Sequence, residues 1–134
     1  MADIELMLRA RAENVAVVRH ALGALGDAGA LDDQTLADVR LAVTEACANV
    51  VVHAYPQRDD GPLQVDVALG EERLTVTVRD HGESDGGDRE STGLGLALIA
   101  ALAETVRIDR AEPSGTAVRM TFALPRPGAP EAAT

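Results

Sequence analysis

The chain has 134 residues and 46% hydrophobic residues, enough apolar material for one compact domain and too little for two. Its formal net charge of −10 disfavours nucleic acid and anionic membranes as partners, because both would be repelled at long range. The single cysteine, Cys47, excludes an internal disulfide and a cysteine-based zinc site. The N-terminus is acidic where a signal peptide would be basic, and no apolar run approaches the roughly 18 residues of a membrane span, so we expect a cytoplasmic protein.

The first half of the chain predicts one strand and two helices. Residues 4–9 alternate apolar and polar side chains, which is the period of a half-buried strand. A helical pattern then covers residues 11–25, and Gly26 is expected to end it. A longer helix is expected to begin at an N-cap within the pair Asp32–Asp33 and to end before Pro56.

The second half predicts two hairpins separated by a helix. The segments are a hairpin at 63–69 and 74–78, a Gly- and Asp-rich loop at 82–92, a helix at 94–104 and a hairpin at 105–110 and 116–124. Each predicted strand has one apolar face. We therefore predict an α/β (α+β) two-layer sandwich, with a mainly antiparallel five-stranded sheet and three helices on one face. This domain covers residues 1–124, and the Pro- and Ala-rich residues 125–134 are expected to be a disordered tail.

The long helix carries three polar residues spaced four apart: Glu45, Asn49 and His53. They form a slanted row beside the apolar core stripe, and their neighbours are mostly apolar, so the row is expected to face a cleft. The Asn amide oxygen is a hard ligand suited to Mg²⁺, and a carboxylate one turn away could orient or deprotonate an attacking hydroxyl. An ordinary half-exposed polar face, with His53 as a cation at the helix C-terminus, stays open on spacing alone.

Two strand ends place further polar groups on the interior face. Counting by twos, Asp80 shares a face with the apolar residues of its strand, and Thr116 does so on the last strand. An inward carboxylate is a natural acceptor for an exocyclic amine such as that of adenine. A simple Asx turn before Gly82 accounts for Asp80 equally well.

The segment Ser91-Thr92-Gly93-Leu94-Gly95-Leu96 opens the last predicted helix. Ser91 or Thr92 can cap that helix, and the two glycines let backbone amides approach a phosphate at its N-terminus. Glycines also open helices that bind nothing, and the segment matches neither a Walker A loop nor a Rossmann fingerprint.

Taken in order, these motifs resemble the nucleotide-binding boxes of the histidine-kinase/gyrase-type ATP-binding domain, the Bergerat fold. The matching residues are Glu45-x-x-x-Asn49, Asp80-x-Gly82, Gly93-Leu94-Gly95-Leu96 and Gly115-Thr116. The resemblance covers roughly residues 2–124 and is greatest to the anti-sigma factor serine kinases of bacteria. Proteins of that family use ATP and Mg²⁺ to phosphorylate a serine of a small antagonist protein, and they also bind a sigma factor.

The resemblance implies a role for each matching residue. Glu45 would be the general base, Asn49 would ligate Mg²⁺, and Asp80, supported by Thr116, would hold the adenine amine. Arg19 on the first helix matches an arginine that such proteins present to their partners. The remaining residues would line the nucleotide: Gly82, Gly93, Leu94, Gly95 and Leu96, with His53 near the phosphates.

The resemblance therefore implies an ATP-dependent protein serine kinase that doubles as an anti-sigma factor. An ATP-binding regulatory module that sequesters a partner with little phosphotransfer, and a phosphorelay ATPase domain, remain alternatives. Glu45 favours the kinase over the pure binder, and the lack of a preceding phospho-acceptor helix disfavours the relay. Ser84 replaces a motif glycine within the acidic segment 83–90, so modest ATP affinity is expected. A homodimer is left open.

Overall fold

A computed structural model describes residues 3–29, 31–55, 61–82, 93–110 and 114–124. The elements are, in chain order, β1 (Ile4–Arg9), α1 (Ala12–Asp27), α2 (Asp33–Asn49), a π-helical turn (Val50–Ala54, the π turn), β2 (Pro62–Leu69), β3 (Arg73–Asp80), α3 (Gly93–Leu102), β4 (Thr105–Arg110) and β5 (Thr116–Ala123). The expected loop after Gly82, with Ser84 and the cap at Ser91 or Thr92, lies outside the described residues, as does the expected tail at 125–134.

The described strands form one five-stranded sheet in the order β1-β2-β3-β5-β4, and every neighbouring pair is antiparallel. Burial alternates along β2, where Leu63 and Val65 are buried and the intervening Gln64 is partly exposed. The helices pack against the buried face and leave the other face to water. The predicted two-layer α+β fold is therefore confirmed. None of the described helices is both long and apolar enough to span a bilayer.

The core lies between α2 and the three middle strands of the sheet. Its fully buried side chains include Val39, Val43 and Cys47 of α2 and Val65, Leu74, Val76, Val78 and Met120 of the sheet. Burial raises the pKa of the Cys47 thiol to about 12, so the reactive thiolate is not populated at neutral pH. The single cysteine is a core residue, not a nucleophile.

The helix boundaries correct one prediction and decide another. Gly26 does not end α1 but lies inside it, where an added Cβ would come within 2.5 Å of Leu36 Cδ2 on α2. The residue that turns the chain after α1 is Gly29, with a φ of +81° that side chains rarely adopt. At the start of α2, Asp32 is the N-cap, and its carboxylate accepts a hydrogen bond from the Thr35 N–H at 3.3 Å.

The end of α2 also differs from the single regular helix that was expected to reach Pro56. After Asn49 the chain widens into the π turn, which ends at Ala54. π-helical segments are rare in proteins, and those that occur often lie at functional sites. Here the π turn follows directly on Asn49 and changes the direction in which the residues after it project.

Candidate functional site

Asp80 lies at the end of β3 on the face that the helices cover. It pairs with Thr116 of β5 across the ladder and is only 9% exposed. Its carboxylate accepts a hydrogen bond from the Gly82 N–H at 2.9 Å and another from the Thr116 N–H. Burial raises the pKa of Asp80, while the two amides and the charges of His81 and Arg110 act in the opposite direction. The predicted inward orientation is confirmed, and the carboxylate keeps acceptor capacity for a ligand.

The turn after Asp80 is built from close backbone contacts that a side chain would prevent. A Cβ on Gly82 would overlap the carbonyl oxygen of Ala54 at the end of the π turn. A Cβ on Gly115, which has a φ of +110°, would lie 2.5 Å from the Asp80 carbonyl oxygen. The two glycines therefore allow the π turn to contact Gly82 and the residue before β5 to lie against the Asp80 backbone.

Glu45 and Asn49 lie on successive turns of α2, and both are half-buried. Neither side chain hydrogen-bonds to another described residue. The backbone of α3 passes close to both, because a Cβ on Gly95 would lie 3.1 Å from Glu45 Oε2 and 3.2 Å from Asn49 Nδ2. A carboxylate and an amide thus converge on one point beside the first turn of α3.

This donor set suits Mg²⁺ better than zinc. The described residues contain no group of three His, Cys, Asp or Glu side chains that could hold a metal ion. Mg²⁺ needs no such group, because it takes oxygen ligands from one or two protein side chains and completes its shell with water and phosphate oxygens. Asn49, with Glu45 beside it, meets that requirement.

The other predicted residues are distributed around these two groups. His53 is half-buried on the π turn, and its side chain makes no hydrogen bond to a described residue. Gly93 and Leu94 form the start of α3, where backbone N–H groups are unpaired by the helix, and Leu96 packs against the core. Arg19 is exposed on α1 and takes no part in the contacts around Asp80 or Glu45.

The sequence reasoning missed two residues that shape the site. Ala54 supplies the carbonyl that contacts Gly82. Tyr55 donates its hydroxyl hydrogen to the Pro62 carbonyl oxygen at 2.6 Å and accepts a hydrogen bond from the His81 N–H at 2.9 Å. The only sequence signal was a lone tyrosine after a helix, which by itself points to no partner.

Comparison with known proteins gives consistent matches over most of the chain. Residues 8–122 match the family described as the histidine kinase-like ATPase domain. The serine-protein kinase RsbW of Bacillus subtilis (strain 168) is 30% identical over 135 residues, which cover 88% of this chain and 83% of the relative. RsbW of Halalkalibacterium halodurans is 32% identical over 140 residues, which cover 92% of this chain and 84% of the relative.

A solved structure is also similar to the fold described above. It is the crystal structure of the RsbU and RsbW domains of Rv1364c from Mycobacterium tuberculosis, with a TM-score of 0.72 and 26% identity. The match covers 92% of this chain and 32% of that longer chain.

Proposed function

Because the chain belongs to the anti-sigma factor serine kinase family, within the histidine kinase-like ATPase superfamily, we propose that it transfers the γ-phosphoryl group of ATP to a serine of a small antagonist protein and also binds a sigma factor. The observation that carries the proposal is the convergence of Glu45 and Asn49 on Gly95. Ala54, on the π turn that continues α2, contacts Gly82, which supports the proposal that this pair and Asp80 line one cleft.

Adenine is proposed to bind at the Asp80 end of the cleft. The Asp80 carboxylate accepts the exocyclic amine of the base, while the Gly82 and Thr116 amides keep that carboxylate in place. A buried acceptor left unpaired is costly, so a base without the amine is bound less well. Asp80 and Thr116 thus supply the base preference.

The phosphates are proposed to lie between the start of α3 and the polar row of α2. Gly93 and Gly95 open α3, and the N–H groups of a helix N-terminus stabilise phosphate oxygens. Asn49 would hold Mg²⁺, which when bound neutralises charge on the transferred phosphoryl group. His53, the next residue of the predicted row, is half-buried on the π turn and is proposed to contribute a further donor.

Glu45 is proposed to act as the general base. It accepts the proton of the serine hydroxyl as the serine oxygen forms its bond to the γ-phosphorus and the bond from that phosphorus to the β-phosphate bridging oxygen breaks. ADP and a phosphoserine are the products. This role is supported by the half-buried position of Glu45 beside Asn49, the residue that would hold the metal ion.

Arg19 is proposed to contact protein partners. It is exposed on α1 and separate from the contacts that form the cleft, so a partner could reach it while nucleotide is bound. We further propose that the protein acts in the cytoplasm, where ATP and sigma factors are present.

The proposal is tested by incubating the chain with γ-labelled ATP, Mg²⁺ and a candidate antagonist protein. Label should appear on the antagonist, and it should be lost when the accepting serine is changed to Ala or when the metal is chelated. An antagonist that forms a stable complex with the ATP-bound chain and stays unlabelled would instead support a sequestering module without phosphotransfer.

A further inference from the structure

The hydroxyl of Tyr55 lies between the ends of two neighbouring strands. The antiparallel ladder of β2 and β3 ends at the pair Leu63 and Asp80, and the next residues in the same register are Pro62 and His81. The His81 N–H donates to the Tyr55 oxygen at 2.9 Å, and the Tyr55 hydroxyl donates to the Pro62 carbonyl at 2.6 Å. One side-chain oxygen thus continues the ladder by one pair.

This bridge fixes the peptide group that follows Asp80. The nitrogen that donates to Tyr55 belongs to the peptide bond between Asp80 and His81, so the bridge restrains the backbone on one side of the carboxylate-bearing residue. On the other side of the same turn, the Gly82 N–H restrains the carboxylate itself. The Tyr55 oxygen is thus linked through the backbone to the residue that carries the carboxylate.

Contacts on both sides hold Tyr55 in turn. Its ring packs against Gly61, where an added Cβ would overlap the ring atoms. The residue before it, Ala54, contacts Gly82 through its carbonyl oxygen. The π turn therefore reaches the Asp80–Gly82 turn twice, once through the Ala54 backbone and once through the Tyr55 side chain.

We propose that Tyr55 is a positioning residue for base recognition. Its hydroxyl holds the Asp80–Gly82 turn in the conformation in which the Asp80 carboxylate accepts the exocyclic amine of adenine. The inference rests on the proposed function, since it requires that Asp80 binds the base. A tyrosine that only ties the strand ends together would support the fold without affecting the choice of base, and this difference makes the two roles separable.

The test compares the binding of ADP and inosine diphosphate by calorimetry, because inosine carries an oxygen where adenosine carries the amine. The parent should prefer ADP. Tyr55→Phe keeps the ring and removes the hydroxyl, so it should raise the Kd for ADP by roughly threefold to tenfold, the loss expected for one hydrogen bond. The Kd for inosine diphosphate should change by less than about twofold. The preference for ADP over inosine diphosphate should therefore fall by nearly the same factor as the affinity for ADP.

Two further variants complete the experiment. In an Asp80→Asn background, Tyr55→Phe should have little further effect on the Kd for ADP, because residues that act through one another are not additive. Thr105→Val removes a hydroxyl bonded to Thr121 on the outer face of the sheet and should leave both affinities unchanged. Gly61→Ala displaces the Tyr55 ring without deleting a polar group and should lower the preference for ADP in the same direction.

The outcomes separate this inference from the proposed function. If the parent prefers ADP and Tyr55→Phe keeps that preference, even with both nucleotides weakened equally, Tyr55 only supports the fold and the inference is overturned. If the parent shows no preference for ADP, Asp80 does not bind the amine, and the proposed base recognition is overturned together with the role of Tyr55.

Discussion

The carboxylate of Asp80 is buried in the protein, where its charged form loses hydration. Burial raises its pKa, so the folded protein favours the protonated form more than the unfolded chain does. Its contribution to stability is therefore most favourable below the unfolded pKa of about 3.9 and declines as the pH rises through the folded value. A buried carboxylate that costs stability at neutral pH agrees with the proposed role of Asp80, because groups with shifted pKa values cluster at functional sites.

Asp80→Asn should therefore weaken binding and stabilise the free protein. We expect affinity for ATP and ADP to fall alike by roughly 1–3 kcal/mol, because an amide can turn its own donor toward the adenine amine. The free variant should be more stable than the parent near pH 7.5, and the difference should shrink as the pH is lowered toward the unfolded pKa of about 3.9. Calorimetry and urea denaturation at both ends of this pH range measure both effects. Unchanged affinity for both nucleotides would remove Asp80 from the site.

Glu45 and Asn49 should separate catalysis from binding. Glu45→Gln keeps the shape of the side chain and removes the base, so Mg-ATP binding should stay near normal while phosphotransfer falls by about 10²–10⁴-fold. Asn49→Ala removes the proposed metal ligand and should weaken both Mg²⁺-dependent binding and turnover. Titration with and without Mg²⁺, followed by single-turnover labelling of the antagonist, distinguishes the two. Full activity in Glu45→Gln would mean that the carboxylate has a structural role.

At the scale of elements, the first turn of α3 is fitted closely to α2 at Gly95. A Cβ there would be 3.1 Å from Glu45 Oε2 and 3.2 Å from the Asn49 amide, closer than side chains normally pack. Gly23 in α1 provides a contrast, because a Cβ at that position would meet the Arg40 guanidinium at an ordinary 4.0 Å. The same substitution at the two glycines should therefore have different consequences.

Gly95→Ala should lower phosphotransfer by roughly tenfold or more, because displacement of catalytic groups by a fraction of an ångström is costly. Gly23→Ala should leave phosphotransfer unchanged and raise stability by up to about 1 kcal/mol through helix propensity. Thermal unfolding and labelling assays on both variants make the comparison. Equal activity of the two would show that the contact at Gly95 has no part in catalysis.

At the scale of the whole molecule, arginines lie on opposite surfaces of a strongly acidic chain. Arg19 is exposed on α1, whereas Arg107 lies on β4, where it pairs with Asp109 at 3.2 Å with 72% of its side chain exposed. Exposed ion pairs contribute little to stability, so either arginine can be removed without unfolding the protein. The two positions therefore form a matched pair for locating a partner surface.

Arg19→Ala should weaken capture of the antagonist or sigma factor by roughly tenfold, as expected for an arginine anchor at an interface, and Arg107→Ala should not. Nucleotide affinity should be unchanged in both, since neither residue contacts Glu45, Asn49 or Asp80 among the described residues. A pull-down titration of the two variants against the parent measures the effect. Equal partner affinity for Arg19→Ala and the parent would place the interface elsewhere.

The sequence by itself determined the faces of the elements. Strand alternation predicted that Asp80 points inward, because neighbouring side chains of a strand point to opposite faces. Helical spacing placed Glu45 and Asn49 on successive turns of α2, where the structure has them. These features depend on local periodicity, which a single chain segment carries whatever its partners are.

Only the tertiary structure decided which of these faces meet. The insertion of β5 between β3 and β4 sets Thr116 opposite Asp80, and the approach of α3 sets Gly95 against Glu45. The π turn has no periodic signal in the sequence. The bridge made by Tyr55 has none either, since it depends on backbone atoms of residues that lie later in the chain. Contacts between distant segments are not encoded in any one segment, and for that physical reason they could not be predicted from the local pattern.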